Sequence, residues 1–149
     1  MIIGIDASRN RSGGARAHII GILHNIEKNL LAEKIEEIHV WSYSELLDLL
    51  PVEKWLIKHS PIELDQNIFN QIWWQYRKLP EEAKKNKIDI LLNTDASTVC
   101  RYKPSVTMSR DMLSYEKGEK QRYGLSKQRL RLELIKYFQN YSLMNSTAA

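Results

Sequence analysis

The amino-acid sequence predicts an α/β fold in which a Rossmann-like parallel sheet carries helices on both faces, within a single domain. The main observation is that short apolar runs, which suit buried strands, alternate along the chain with longer segments of helical periodicity. In addition, a length of 149 residues and a hydrophobic fraction of 43% are ordinary for one globular domain with its own core.

The predicted strands are short apolar runs that end in polar residues. The clearest covers residues 88–92, where Ile-Asp-Ile-Leu-Leu is followed by the polar residues 93–97. Four more are predicted over residues 1–5, 37–41, 55–57 and 104–108. Continuous apolar runs of this length are typical of strands that are buried on both faces of a parallel sheet.

Apolar residues at helical spacing predict helices over residues 15–30, 67–79 and 126–141. Ser42 and Glu45 form a capping-box pattern, which predicts a short helix that Pro51 ends. Pro80 is expected to stop the helix over 67–79, and residues 81–87 to form a solvated connection.

The domain is predicted to span residues 1–142, followed by a flexible tail over 143–149, because the Asn-Ser-Thr-Ala-Ala end offers nothing to pack. The single cysteine, Cys100, excludes an internal disulfide framework and a cysteine-based zinc site, and it suits the reducing cytoplasm. The N-terminal residues lack the features of a signal peptide, and no apolar run approaches the roughly 20 residues that span a bilayer. The net charge of +4 is compatible with anionic ligands or an anionic membrane surface and requires neither.

Three polar loops are expected to meet at one edge of the sheet, because ligands of open parallel sheets bind outside the carboxyl ends of the strands. They cover residues 9–14, 93–97 and 109–111. The candidate catalytic residues are Arg110 and Asp111. The candidate substrate-binding residues are Ser12, Gly13, Gly14, Arg16, Asn93, Thr94 and Asp95.

Gly13 and Gly14 open the first helix, where glycines let a ligand approach the backbone and free N–H groups attract phosphate. Arg9, Arg11 and Arg16 surround this turn, and guanidinium groups bind phosphates and carboxylates well. A tight turn with exposed arginines and no ligand would explain the same residues. The loop matches neither the G-x-G-x-x-G dinucleotide pattern nor a P-loop, which disfavours NAD, FAD and nucleoside triphosphate hydrolysis.

Asp95 and Asp111 have two interpretations each, because an aspartate after a strand either binds a ligand, such as sugar hydroxyls at Asp95, or caps a turn. The histidines do not form a predicted metal set. His18 and His24 lie on different faces of one helix, and His39 and His59 lie on separate strands. No metal ion or other cofactor is expected.

The segment from residue 117 to 136 is rich in Lys and Arg. It predicts either a solvated helix face or a contact with anionic lipid head groups or a phosphate-bearing acceptor. Nucleic acid is disfavoured as a partner, because Glu116, Glu119 and Glu133 dilute the basic residues and no RNA-binding signature is present.

The order of these motifs resembles the N-terminal domain of GT4-like glycosyltransferases of the GT-B fold. Residues 2–8 and 12–16 are similar to the first strand and glycine-glycine loop of that family. Residues 73–80 and 89–93 look like the helix before its fourth strand and that strand, and residues 104–113 resemble the segment that follows.

The resemblance implies two Rossmann-like domains that face each other across a cleft. The N-terminal domain would hold a saccharide or lipid-linked acceptor, and the C-terminal domain the nucleotide-sugar donor. Transfer would retain the anomeric configuration and need no metal ion, with Gly13 and Gly14 near the donor phosphates or the transferred sugar. The expected location is the cytoplasm, with peripheral contact to the inner face of the membrane.

Two features depart from the family pattern. Arg110 stands where the family usually has a histidine that helps to position the reacting sugar, and the sequence has no second glycine-rich segment and no E-x7-E glutamate pair. The chain is therefore expected to be inactive without a donor-binding domain. The alternative is a non-catalytic Rossmann-like binding or interaction module. A response-regulator-like or small hydrolase domain ranks lower, because Asp6 is a lone acid after the first strand.

Overall fold

The computed structural model describes residues 1–11, 13–26, 34–109, 115–116, 122–124 and 126–148. Its centre is a five-stranded sheet in which every neighbouring pair of strands is parallel. The strands are β1 (Ile2–Asp6), β2 (Glu37–Trp41), β3 (Leu56–His59), β4 (Ile90–Asn93) and β5 (Ser105–Thr107). They lie in the order β3-β2-β1-β4-β5, which confirms the predicted parallel α/β fold.

Four α-helices belong to the described residues. They are α1 (Gly13–Asn25), α2 (Ser44–Leu47), α3 (Ile68–Lys85) and α4 (Lys127–Asn145), and a 3-10 turn covers Ile62–Asp65. None of the helices in the described part of the chain is long and apolar enough to cross a membrane.

The strand register shows which helices cover which face. Ile5, Val40 and Lys58 are aligned across β1, β2 and β3 and therefore share one face of the sheet. Lys58 donates from Nζ to the carbonyl groups of Leu47 and Leu50, which places α2 over that face. His24 at the end of α1 donates to the carbonyl of Leu49, so α1 lies on the same side.

The opposite face carries α3. Asp6, Trp41 and His59 are aligned on it, and Gln75 of α3 donates to Asp6. Trp74 on the same helix is also buried. The sheet is therefore sandwiched between helices, and the core lies on both of its sides.

The proline at position 80 does not stop the third helix, contrary to the prediction. Pro80 lies inside α3, which continues to Lys85 and replaces the expected solvated connection. A proline within a helix removes one N–H donor. Leu79 and Ala83 are both fully buried, and their packing holds the helix through this position.

The predicted capping box is also not formed. The N-cap of α2 is Tyr43, whose side chain makes no cap hydrogen bond. The Ser42 hydroxyl instead donates to the carbonyl of Ala7, 3.0 Å away in the loop after β1. A tertiary hydrogen bond has thus replaced the local one that the spacing predicted.

The end of the chain differs from the predicted flexible tail over residues 143–149. Helix α4 continues to Asn145, and Ala148 forms a parallel bridge with Val106 of β5. The N–H of Thr147 donates to the carbonyl of Ser105, and the N–H of Thr107 donates to that of Ala148. These hydrogen bonds pair the free edge of β5 and attach the end of the chain to the sheet.

Candidate binding site at the edge of the sheet

The strand order reverses between β1 and β4. Strands β2 and β3 follow on one side of β1, and strands β4 and β5 follow on its other side. Asp6 and Asn93, the last residues of β1 and β4, are paired in register. Loops that leave neighbouring strands on opposite faces open a crevice at such a switch point.

A cavity of about 260 Å³ lies at this position. We call it the switch-point cavity. Its polar wall consists of Arg9 and Asn10 after β1 and of Thr94, Asp95 and Ser97 after β4. Ala96 after β4, Ala15 of α1, and Ile135 and Gln139 of α4 complete the lining.

Asp6 forms the floor beneath these loops. Its carboxylate accepts hydrogen bonds from the Ser8 N–H at 3.1 Å, the Ser8 hydroxyl at 2.6 Å, Gln75 Nε2 at 2.7 Å and the Thr98 hydroxyl at 3.4 Å. Burial raises the pKa of Asp6 above its ordinary value, and the hydrogen bonds from Ser8 and Gln75 act in the opposite direction. Asp6 therefore joins both loops to α3 and has no free oxygen that faces solvent.

Asp95 is a candidate that the structure does place in the cavity wall. Its Oδ1 accepts from the N–H and the hydroxyl of Ser97, at 2.7 and 2.6 Å, which is the turn-capping arrangement. Its Oδ2 lies 3.9 Å from Nε of Arg9. Another nitrogen of the same guanidinium group, Nη1, donates to the carbonyl of Ser97. Asp95 therefore orders the loop and positions Arg9 beside the cavity.

The two other candidates after β4 are held by contacts within the protein. Asn93 is buried and donates to the hydroxyl of Thr107. Thr94 lines the cavity, while its hydroxyl donates to the carbonyl of Asp6 at 2.7 Å and contacts Asn10 Oδ1 at 3.1 Å. Both side chains hold the loops together, and only Thr94 also contributes to the cavity wall.

The glycines at the start of α1 have open space around them. Gly13 has a φ of +61°, which a residue with a side chain rarely adopts, so the turn itself explains this glycine. Apart from its chain neighbours and the backbone of its own helix, no described atom lies within 4 Å of the position that a Cβ of Gly14 would occupy. Neither packing nor a left-handed backbone explains Gly14, so close approach of a ligand remains a reason for it.

The three arginines near the turn separate in the structure. Arg16 pairs with Glu45 on α2 at 3.1 Å. The guanidinium group of Arg11 lies 4.3 Å from the ring centre of Tyr43 and donates to the carbonyl of Leu64. Arg9 lines the switch-point cavity, whereas Arg11 contacts the N-cap of α2 and the 3-10 turn, and Arg16 contacts α2.

Three predicted site residues, Ser12, Arg110 and Asp111, lie outside the described residues. The structure therefore leaves their roles as predictions. Among the residues that it does describe, no group of three or more His, Cys, Asp or Glu side chains is arranged to hold a metal ion.

A second cavity adjoins the first. This apolar groove has a volume of about 350 Å³ and lies between α3, α4 and the loop after β4. Its apolar walls are Ile72, Val99, Leu130, Leu134, Ile135 and Phe138. The sequence showed Leu130, Leu134 and Phe138 as one helical face, but only the structure shows that this face stays largely uncovered.

The structure also brings together two histidines that the sequence places on separate strands. His39 Nδ1 lies 2.9 Å from His59 Nε2, and His39 Nε2 lies 3.2 Å from a carboxylate oxygen of Glu37. The ring of His59 stacks on that of Trp41 at 4.7 Å. Glu37, His39 and Trp41 alternate along β2 and therefore share a face of the sheet. This alternation was the only sign of the cluster in the sequence, because His59 lies on another strand.

The strand order and the polar cavity define the class of the protein as a doubly wound parallel α/β domain with a crevice at its switch point. No family model, curated protein or solved structure matches the chain.

Proposed function

We propose that this chain is the acceptor-binding domain of a retaining glycosyltransferase that uses a nucleotide sugar, and that transfer requires a separate donor-binding domain. The observation that carries the proposal is the switch-point cavity, which lies beside the glycine-initiated helix α1 and is lined by six polar residues among nine. The resemblance of the motif order to GT4-like enzymes gives this cavity its chemical interpretation.

The cavity residues suit a hydroxyl- and phosphate-bearing ligand. Arg9 supplies a cation, and Gln139 and Asn10 supply amide groups in a space of about 260 Å³. Small-molecule sites typically measure about 300–1,000 Å³, so this cavity fits one sugar unit or one phosphate-bearing end of a larger acceptor. Gly14 adds open backbone at the start of a helix, where anions are favoured.

The carboxylates near the cavity favour binding over catalysis by this domain alone. The Asp6 carboxylate is buried and accepts four hydrogen bonds. The Asp95 carboxylate accepts two hydrogen bonds from Ser97 and lies beside Arg9. Neither carboxylate is placed as a free general base. This arrangement also supports the second candidate, a non-catalytic binding module with the same cavity.

The first experiment titrates the purified chain with sugar phosphates, UDP and GDP while tryptophan fluorescence is followed. We expect weak binding of a sugar phosphate, and we expect Arg9→Gln to weaken it severalfold because Arg9 lines the cavity. Arg16→Gln is the matched control, since Arg16 pairs with Glu45 away from the cavity. Equal effects of the two variants, or no binding at all, would contradict the acceptor role.

The second experiment separates an enzyme domain from a binding module. The chain alone should transfer no labelled sugar from a nucleotide sugar, and transfer should begin when a donor-binding domain is supplied. Transfer by the chain alone would contradict the need for a second domain. Ligand binding without transfer in the presence of donor domains would favour the non-catalytic module.

A further inference from the structure

The apolar groove beside the switch-point cavity is lined by large apolar side chains of α4 that no other element fully covers in the described part of the chain. On α4, Leu130 is 63% exposed, Leu134 51% and Phe138 42%. Scattered apolar residues are normal on a surface, but a continuous apolar patch around a concave space marks a binding surface. Ile72 and Val99 close the other side of the groove.

Basic side chains stand at the rim of this groove. Lys127 and Arg131 are four residues apart on α4, which puts them on one side of the helix, and Arg9 lines the groove from the loop after β1. No ion pair of Lys127 or Arg131 is formed with any residue that the structure describes. An apolar groove with a cationic rim is complementary to a molecule that joins an apolar chain to an anionic group.

The groove and the switch-point cavity adjoin each other. Arg9, Ser97 and Ile135 line both spaces. A ligand that extends from one to the other passes Arg9 at the boundary, with polar surroundings on one side and apolar surroundings on the other. Along the cleft, the lining thus changes from polar side chains in the switch-point cavity, through the cation of Arg9, to apolar side chains in the groove.

We propose that this cleft binds a phosphate-bearing amphiphile. Its sugar or other polar head lies in the switch-point cavity, its phosphate lies near Arg9, Lys127 and Arg131, and its alkyl or isoprenyl chain lies in the apolar groove. The inference rests on the proposed function, because it names the acceptor of the same cleft as a lipid-linked phosphate rather than a free saccharide.

The test is a calorimetric titration of the full chain with decyl phosphate and octyl phosphate, both below their micelle-forming concentrations. Each buried methylene strengthens binding by about fourfold, so decyl phosphate should bind at least about tenfold more tightly than octyl phosphate. Inorganic phosphate and the uncharged decyl maltoside should each bind more weakly than decyl phosphate. Saturation at one molecule per chain is expected.

Two pairs of variants locate the ligand. Leu130→Gln and Arg131→Gln should each weaken decyl phosphate binding by about tenfold, since one removes an apolar wall and the other a rim cation. Met144→Gln and Arg129→Gln are the controls, because neither residue lines the groove although both lie on α4. Leu130 and Met144 are largely exposed, so both glutamine variants should fold as the wild type does.

Equal affinity for the two alkyl phosphates, or equal effects of Arg131→Gln and Arg129→Gln, would overturn the inference. So would binding to vesicles of anionic lipid without saturable binding of monomeric decyl phosphate, which would indicate a membrane-surface contact instead. Sugar phosphate binding without decyl phosphate binding overturns this inference and leaves the proposed function intact. The reverse result supports an amphiphile site and contradicts the glycosyl acceptor role.

Discussion

Gln75 of α3 donates from Nε2 to Oδ2 of Asp6 at the end of β1, across 2.7 Å and a sequence separation of 69 residues. The same amide nitrogen lies 2.9 Å from the hydroxyl of Ser8, which itself donates to Asp6 Oδ1. This buried group of three side chains joins the helix that covers one face of the sheet to the loop that forms the switch-point cavity.

Substitution of Asp6 should therefore destabilise the fold as well as the cavity. Asp6→Ala removes the acceptor of the buried Ser8 hydroxyl and leaves Gln75 Nε2 with only the Ser8 oxygen to donate to, so it should lower the free energy of unfolding by on the order of 3 kcal/mol. Asp6→Asn should cost less, because its carbonyl oxygen can still accept from Ser8. Gln75 can also turn its amide, since Gln75 Oε1 has no partner among the described residues.

Urea denaturation of the wild type and both variants measures these differences. An Asp6→Asn variant that loses as much stability as Asp6→Ala would show that the negative charge, rather than the hydrogen bonds, matters at this position. An Asp6→Ala variant as stable as the wild type would contradict the structural role altogether.

Gly4 in the middle of β1 leaves no room for a side chain. A Cβ there would lie 2.9 Å from Cδ1 of Leu91, 3.0 Å from Cγ2 of Ile88 and 3.1 Å from the Trp41 ring. Gly4→Ala should thus overpack the core and lower the free energy of unfolding by about 1–3 kcal/mol.

Gly21 of α1 is the matched control for Gly4, because no described atom outside its own helix backbone and chain neighbours lies within 4 Å of its Cβ position. Gly21→Ala should raise stability by about 0.5–1 kcal/mol through the better helix propensity of alanine. Thermal denaturation of both variants checks the pair, and a Gly4→Ala variant that is as stable as Gly21→Ala would refute the packing argument.

Lys58 of β3 caps the last carbonyl groups of the α2 region. Its Nζ donates to the carbonyl of Leu47 at 2.9 Å and to that of Leu50 at 2.8 Å. Lys58→Met keeps much of the side-chain volume but removes both hydrogen bonds, so it should lower the free energy of unfolding by about 1–3 kcal/mol. Chemical denaturation measures the loss. Lys54→Met, at a surface position without these bonds, should change little.

His59 makes folding stability dependent on pH. Its burial and the charge of neighbouring His39 lower the pKa of His59 below its ordinary value of 6.5, while Glu82 raises it and Lys85 lowers it. The unfolded chain therefore takes up this proton more readily than the folded protein. The stabilising contribution of neutral His59 is complete above pH 6.5 and is lost as the pH falls from 6.5 toward the folded-state pKa.

The free energy of unfolding should thus fall from about pH 7.5 to about pH 5.5, and His59→Gln should reduce the size of that fall. His18→Gln is the control, because His18 is exposed on α1. If His59→Gln shows the same pH dependence as the wild type, another group causes it.

The sequence predicted the architecture well because that architecture depends on periodicity. The five strands lie within one or two residues of the apolar runs, and the helices between them follow the spacing of apolar residues. The exception at Pro80 shows the limit of local rules, since the burial of Leu79 and Ala83 outweighs the cost of a proline inside α3. Ser42 shows the same limit of local rules. Its spacing from Glu45 fits a capping box, but its hydroxyl donates to the carbonyl of Ala7 instead.

Of the three loops that were predicted to meet, the loops after β1 and β4 do so, whereas most of the loop over residues 109–111 lies outside the described residues. Parallel strands bring their carboxyl ends to one edge, and the loops after β1 and β4 lie together because these two strands are neighbours in the sheet. Spacing alone could not show that Arg9 turns into the cavity while Arg16 turns to Glu45, because those directions depend on residues far along the chain.

The sequence by itself thus determined a parallel α/β domain with polar loops at one edge, since hydrophobic periodicity is a local property of the chain. The tertiary structure decided the rest. It placed Gln75 against Asp6, and it left Leu130, Leu134 and Phe138 uncovered beside the cavity. Such contacts depend on how helices and strands pack against one another. They cannot be read from the local sequence around a side chain, because its neighbours come from distant parts of the chain.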